Sequence, residues 1–105
     1  MQFEYEMLCF IVNAGYSEEV MEVAKANGAY GGSVINARGT AKADAEKFFN
    51  IPIHPEKEMV MIVVPVEIRD RILHGFYESL SLRTQAQGIA FSLPVDAVAG
   101  IKTGK

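Results

Sequence analysis

The sequence is most informative at first through its shortages. It has one cysteine, Cys9, so no disulfide can form within the chain. Cys9 stands inside the apolar run Met7-Leu8-Cys9-Phe10-Ile11-Val12, where a buried and inert thiol is expected. Positive charge is also scarce. The formal net charge is −3 and no Lys/Arg cluster stands against it, which argues against nucleic acid as the main partner. The longest apolar runs are about six residues, against the ~20 needed to span a bilayer. No basic start followed by an apolar stretch and a small-residue cleavage site opens the sequence. A soluble cytoplasmic protein is the expectation. There is no Gly-x-Ser-x-Gly, no His-Glu-x-x-His and no Walker lysine motif, and no residue pair reads as a nucleophile with its base. No catalytic residue is assigned, and a non-enzyme is expected.

What remains is a well-endowed globular chain. Its 105 residues suffice for one domain, residues 1–105, with a real core. Half the residues are hydrophobic and 22% are charged, a balance that favours folding over disorder. Phe3 to Val12 is strand-compatible, with Phe3, Tyr5, Met7, Cys9 and Ile11 on one face and Leu8, Phe10 and Val12 on the other. After Asn13-Ala14-Gly15, Ser17 reads as the N-cap of a helix over about Glu18 to Asn27. Gly28 is its C′ residue. Val20, Val23 and Ala24 form the apolar stripe, and Tyr16 can staple onto Met21.

A second strand enters at Gly31-Gly32 and ends near Gly39, and a third follows over Met59 to Val64. Pro65 ends the third strand and can open a helix at its first turn, with Ile68, Ile72, Leu73, Phe76 and Leu80 at helical spacing. A last strand, Ile89 to Val95, contains Pro94, which cannot donate to a ladder and so belongs at a sheet edge. The order β-α-β-β-α-β predicts an α+β fold, the ferredoxin-like sandwich with an antiparallel sheet. In that fold the helices cover one sheet face. Yet the first strand after Glu6 and the third strand are apolar on both sides, so the open face needs a cover. Another copy of the same chain is the cheapest one, and a homo-oligomer is expected.

Between the second and third strands lies a connection, about residues 40–57, far longer than the ~4–6 residues usual in compact domains, and such loops commonly carry function. Phe48 and Phe49 within it should dock back on the protein or touch a partner, with docking favoured. His54, Glu56 and Glu58 lack a convincing metal-ligand set, so a solvated loop is the better reading and no metal is assigned. His74 reads as a helix-surface residue.

Four segments carry a family resemblance that covers nearly the whole chain in order. Gly28 to Gly39 resembles the second strand of PII signalling proteins, which ends in a basic residue and a glycine before the family's T-loop. His54-Pro55-Glu56-Lys57-Glu58-Met59 resembles the segment where that loop returns. Gly88-Ile89-Ala90-Phe91 resembles the end of the B-loop and the strand after it, and Ile101-Lys102-Thr103-Gly104 the basic-Thr-Gly C-terminal segment. The resemblance implies a homotrimer with its sheets facing inward and its T-loops outward. It also implies an adenine nucleotide in each intersubunit cleft, and a loop that regulates a target enzyme or membrane transporter. The implied nucleotide contacts are Ser33, Arg38, Gly39, Thr40, Arg83, Thr84, Gln87, Gly88 and Lys102. The implied partner-binding residues are Lys42, Lys47, Phe48 and Phe49.

The sequence departs from the family pattern at defined places. No tyrosine lies between Gly39 and Met59, which removes uridylylation there, and the loop is shorter than standard. The B-loop stretch Arg83-Thr84-Gln85-Ala86-Gln87-Gly88 has a single glycine, with Ile89 at the family lysine's place. Phosphate cradles need closely approaching backbone N–H groups and compensating charge. The possible ligands are ADP, AMP or ATP, none tightly bound, with a mono- or diphosphate held by Arg38, Arg83 or Lys102 favoured over ATP with Mg²⁺. Gly88→Asp is expected to abolish nucleotide binding without unfolding the trimer. Plainer readings stand beside these, in which Arg38 and Gly39 simply end a strand, Ser33 fills a sheet position, and the B-loop is an ordinary turn. Two rival functions also remain, a trimeric metal-tolerance protein or small enzyme resembling the CutA group, and a ligand-free trimeric adaptor.

Overall fold

Alternation along the first strand already dictates two layers. The computed structural model describes residues 4–40 and 55–101. Strand β1 (Tyr5–Asn13) is followed by helix α1 (Ser17–Ala26), strands β2 (Ser33–Arg38) and β3 (Glu56–Pro65), helix α2 (Val66–Leu80) and strand β4 (Ile89–Val95). The sheet is antiparallel in the order β2-β3-β1-β4, the ferredoxin-like arrangement. β4, with Pro94, lies at an edge as its sequence requires.

One face of the sheet is the core. Leu8, Phe10 and Val12 of β1 and Val60, Ile62 and Val64 of β3 point at the helices and are buried with Val20 and Ala24 of α1 and Ile72, Phe76 and Leu80 of α2. Phe10 and Phe76 meet with ring centroids 5.0 Å apart at a tilted 52°. Glu6 shares this face, and Arg69 of α2 reaches it at 2.7 Å, so the carboxylate is not left alone beside the core.

The opposite face is largely apolar, with Ser33 and the Asn13–Lys57 pair as its polar members. Register aligns Ser33, Met61, Cys9 and Phe91 in one row and Ile35, Met59, Ile11 and Ile89 in the next. Cys9 is buried even here, which pushes its thiol pKa up. Ile35, Ile89, Phe91 and Leu93 remain 42 to 45% exposed, a continuous apolar surface that none of the described elements covers. Among the described residues no helix is long and apolar enough to cross a membrane.

Two helix ends differ in how legible they were. At the C-terminus of α1, Gly28 adopts φ 109°, its N–H bonds to the Lys25 carbonyl and that of Ala29 to Ala24, the Schellman pattern expected of a C′ glycine. The N-terminus corrects the sequence reading. Ser17 is the first helical residue, Tyr16 occupies the cap position, and no capping side chain comes from that position. Instead Glu58 of β3 accepts the N–H groups of Gly15 and Ser17 at 3.0 and 3.1 Å. A cap 41 residues away in sequence cannot be read from local pattern. Pro65 likewise sits at the cap position of α2, one residue before its first turn, and β3 begins at Glu56, earlier than its hydrophobic pattern suggests.

Candidate functional site

Antiparallel pairing brings four chain segments to one end of the sheet. The last residue of β2, Arg38, stands opposite Glu56, and Asn13 at the end of β1 stands opposite Lys57. β4 starts at the same end, with Ile89 opposite Ile11. The loop 81–88 therefore lies over the end of β1, while the base of the 40–57 connection lies over the ends of β2 and β3.

At the base of that connection, the N–H of Gly39 donates to the Pro55 carbonyl at 2.6 Å, which closes the strand pair one step beyond Arg38. Arg38 and Thr40 are exposed. A Cβ at Gly39 would lie 2.9 Å from Cε of Lys57, so the backbone here rests on the lysine stem. Lys57 continues inward and donates from Nζ to Oδ1 of Asn13 at 2.6 Å, and its partial burial pushes its pKa down. Asn13, only 4% exposed, uses every polar group it has. Its Nδ2 donates to the Gln85 carbonyl at 2.8 Å and to Oε1 of Gln87 at 3.3 Å, and its backbone N–H to the Ala86 carbonyl at 2.8 Å. The Tyr16 hydroxyl adds a bond to Oε1 of Gln85 at 3.2 Å.

The loop 81–88 turns on its own backbone. Thr84 donates both its hydroxyl, at 2.8 Å, and its N–H, at 2.9 Å, to the Ser81 carbonyl. Gln87 has φ 50° and its N–H bonds to the Thr84 carbonyl. Gly88 is buried, and its N–H donates to the Leu80 carbonyl at 2.8 Å. A Cβ there would collide with that carbonyl oxygen and would stand 2.5 Å from Cζ of Phe76 and 2.9 Å from Cγ1 of Val12. The expectation that Gly88→Asp leaves folding intact is therefore overturned: the glycine is a close-packed part of the core. Outside this loop, beside the β4 edge, an open groove of about 520 Å³ runs between the end of α2 and the start of β4, with Leu73, Tyr77, Leu82, Arg83 and Ile89 on its walls.

The structure thus gathers Arg38, Gly39 and Thr40 at one edge of a sheet end and Arg83, Thr84, Gln87 and Gly88 at the other. Within one chain the two groups are two to three strand spacings apart, about 10–14 Å. Ser33 does not join them. It opens β2 on the uncovered face opposite Met61, roughly 17 Å from Arg38 at ~3.3 Å per residue. Lys102, Lys42, Lys47, Phe48 and Phe49 lie outside the described residues, as does His54. Exposed on α2, His74 lies 3.6 Å from Glu78 and belongs to no cluster here. Among the described residues no three His, Cys, Asp or Glu side chains converge.

Asn13, Lys57 and Gln85 escaped the sequence reading. Asn13 reads locally as a strand breaker and Lys57 as part of a charged loop return. The signal available was topological: a βαββαβ order places the end of the first strand beside the starts of the third and fourth.

Comparison with known proteins adds an independent line. The family model described as Nitrogen regulatory protein P-II matches residues 5–105. Among solved structures, PII of Arabidopsis thaliana bound to citrate superposes with a TM-score of 0.70 at 20% identity, covering 99% of this chain and 86% of that one. The PII-like protein CPII of Thiomonas intermedia K12, bound to ADP, AMP and bicarbonate, gives 0.64 at 18% identity, with 94% and 98% covered. The GlnK–ATP complex of B. subtilis gives 0.62 at 15%, with 90% and 84% covered. At such identities these likenesses establish the fold. No curated protein matches significantly in sequence.

Proposed function

The chain belongs to the nitrogen regulatory protein P-II family, and from that premise we propose that it is a cytoplasmic homotrimeric signalling protein. In this reading it binds an adenine nucleotide between subunits and regulates a partner protein through the loop that follows Gly39. The observation that carries the reading is the position of its two candidate groups. Arg38 and Gly39 end one edge strand, and Arg83 to Gly88 precede the other, at the same end of the sheet. About 10–14 Å apart in one chain, they meet across a cleft when the β2 edge of one copy approaches the β4 edge of the next. The apolar open face supplies the reason for copies to associate.

The ligand follows from the donors that remain. The N–H groups of Thr84 and Gln87 are bonded within the loop and that of Gly88 to the last carbonyl of α2, so the backbone cradle is poor. Side-chain cations, Arg38 and Arg83 with Lys102, would carry the phosphate charge. That favours AMP or ADP over ATP with Mg²⁺, and CPII offers a relative with ADP and AMP bound. Occupancy of the cleft would bias the loop beyond Gly39 between two conformations, which a target enzyme or transporter then distinguishes. Lys42, Lys47, Phe48 and Phe49 are the proposed contacts of that loop.

Isothermal titration with AMP, ADP and ATP tests the ligand, and native mass spectrometry tests the assembly. Heat with AMP or ADP exceeding that with ATP is expected from a particle of three chains. A trimer that gives no heat with any of the three sinks the nucleotide and leaves a ligand-free adaptor. A monomer sinks the intersubunit site itself.

A further inference from the structure

One polar connection joins the two halves of the site inside a single chain. Lys57 lies beneath Gly39, and its ammonium reaches Asn13 at 2.6 Å. Asn13 in turn holds three successive residues of the opposite loop, through Gln85, Ala86 and Gln87. Asn13 is almost fully buried, so neither link is easily replaced by water. We propose that Lys57 and Asn13 are positioning residues that couple the order of loop 81–88 to the order of the Gly39–Thr40 backbone. This names a regulation of the same site and rests on reading 81–88 as the ligand loop and the chain after Gly39 as the output.

The chemistry makes the coupling mutual. Drawing loop 81–88 away from the sheet breaks the Asn13 bonds to Gln85 and Gln87, and Asn13 is then free to rotate. Its Oδ1 no longer meets the ammonium, so the lysine stem loses the anchor that keeps it under Gly39. Glu58 and Glu56 are the charged neighbours of Lys57 on β3. Glu58 is already engaged by the N–H groups that precede and open α1, so it is a poor alternative partner.

Amide hydrogen exchange on the purified, ligand-free oligomer tests this. Lys57→Met keeps the apolar stem against Gly39 and removes the donor to Asn13. The expected result is exchange at residues 84–88 accelerated roughly tenfold or more, the factor associated with losing one charge-assisted hydrogen bond, with Val60 and Ile62 unchanged. Approached from the other side, Thr84→Ala removes the hydroxyl bond to Ser81 and should accelerate exchange at Gly39 and Thr40. That acceleration should vanish when Lys57 is already methionine. A Lys57→Met effect confined to residues 39–40, or a Thr84→Ala effect confined to 81–88, overturns the coupling. Because each arm is ligand-free, failure of nucleotide binding would refute the proposed function and leave this test standing.

Discussion

Replacing Gly88 by alanine should destabilise the protein severely, and the structure allows the cost to be worked out by comparison with two other glycines. A Cβ at Gly88 would meet the Leu80 carbonyl, Cζ of Phe76 at 2.5 Å and Cγ1 of Val12 at 2.9 Å. Phe76 and Val12 are core residues and the carbonyl is backbone, so no flexible end can move aside. Overpacking of this kind costs about 1–3 kcal/mol, and here three rigid neighbours must shift together, so about 3 kcal/mol is expected. For a domain of this size that corresponds to a melting temperature lower by roughly 10–20 °C. Gly31 has nothing within 4 Å of its would-be Cβ, and Gly31→Ala should stay within about 0.5 kcal/mol of the parent. Gly15 is equally unobstructed but has φ 100°, so Gly15→Ala isolates the backbone cost of about 1–2 kcal/mol. Urea unfolding at one fixed chain concentration is the assay, since assembly would make the midpoint concentration-dependent. If Gly88→Ala unfolds within 0.5 kcal/mol of Gly31→Ala, taken as about the margin of an unobstructed surface site, the packing argument fails. Success would mean that Gly88→Asp reports on folding, and that ligand contact must be tested at Arg83 or Arg38.

Two further outcomes follow from the same geometry. Glu58→Gln should cost about 1 kcal/mol by weakening the cap of α1. Burial would raise the Glu58 pKa, but the hydrogen bonds from Gly15 and from the side chain and backbone of Ser17 outweigh it and lower the pKa. The carboxylate's contribution is therefore present in full above the ordinary glutamate range, and is lost as pH falls through the lowered folded value. The urea-midpoint difference between parent and Glu58→Gln should shrink on acidification through that window; a difference constant from neutral pH into that range refutes the assignment. On the uncovered face, Leu93→Asp should abolish assembly while preserving far-UV circular dichroism. Leu93 is 45% exposed in the single chain, so each interface would lose a leucine burial of about 1 kcal/mol and gain a carboxylate without a partner, and persistence of the parent's assembled mass would show that this face is not the interface.

What the sequence revealed and what it hid divide along physical lines. The βαββαβ order, the helix-facing residues of β1, the edge position of β4 and the Gly28 cap all follow from period, turn chemistry or a missing N–H, and these are properties of a few neighbouring residues. The apolar open face was legible for β1 and β3 because apolar residues fell on both sides of the strand. Its extension over Ile35, Phe91 and Leu93 needed the register. Ser17 and Gly88 misled for a common reason. A serine before an amphipathic run ordinarily caps it, and a glycine ending a polar loop ordinarily serves the loop. Here a glutamate from β3 caps the helix, and Phe76 and Val12 leave no room for a side chain at 88. In both cases the decisive neighbour is distant in sequence.

The same distinction bears on how a nucleotide would be recognised. A glycine-rich cradle discriminates by shape, because several N–H groups fix each phosphate oxygen. In loop 81–88 the N–H groups of Thr84, Gln87 and Gly88 already face carbonyls. Recognition would then fall to exposed arginines, whose attraction depends on charge and distance more than on a fixed array of donors. Nucleotide affinity should accordingly weaken as ionic strength rises, because exposed charge pairs are screened at a Debye length of about 8–10 Å near physiological salt. Repeating the AMP and ADP titrations across a salt series separates the two modes: an affinity indifferent to salt would require backbone donors that the turn at Thr84 and Gly88 does not offer.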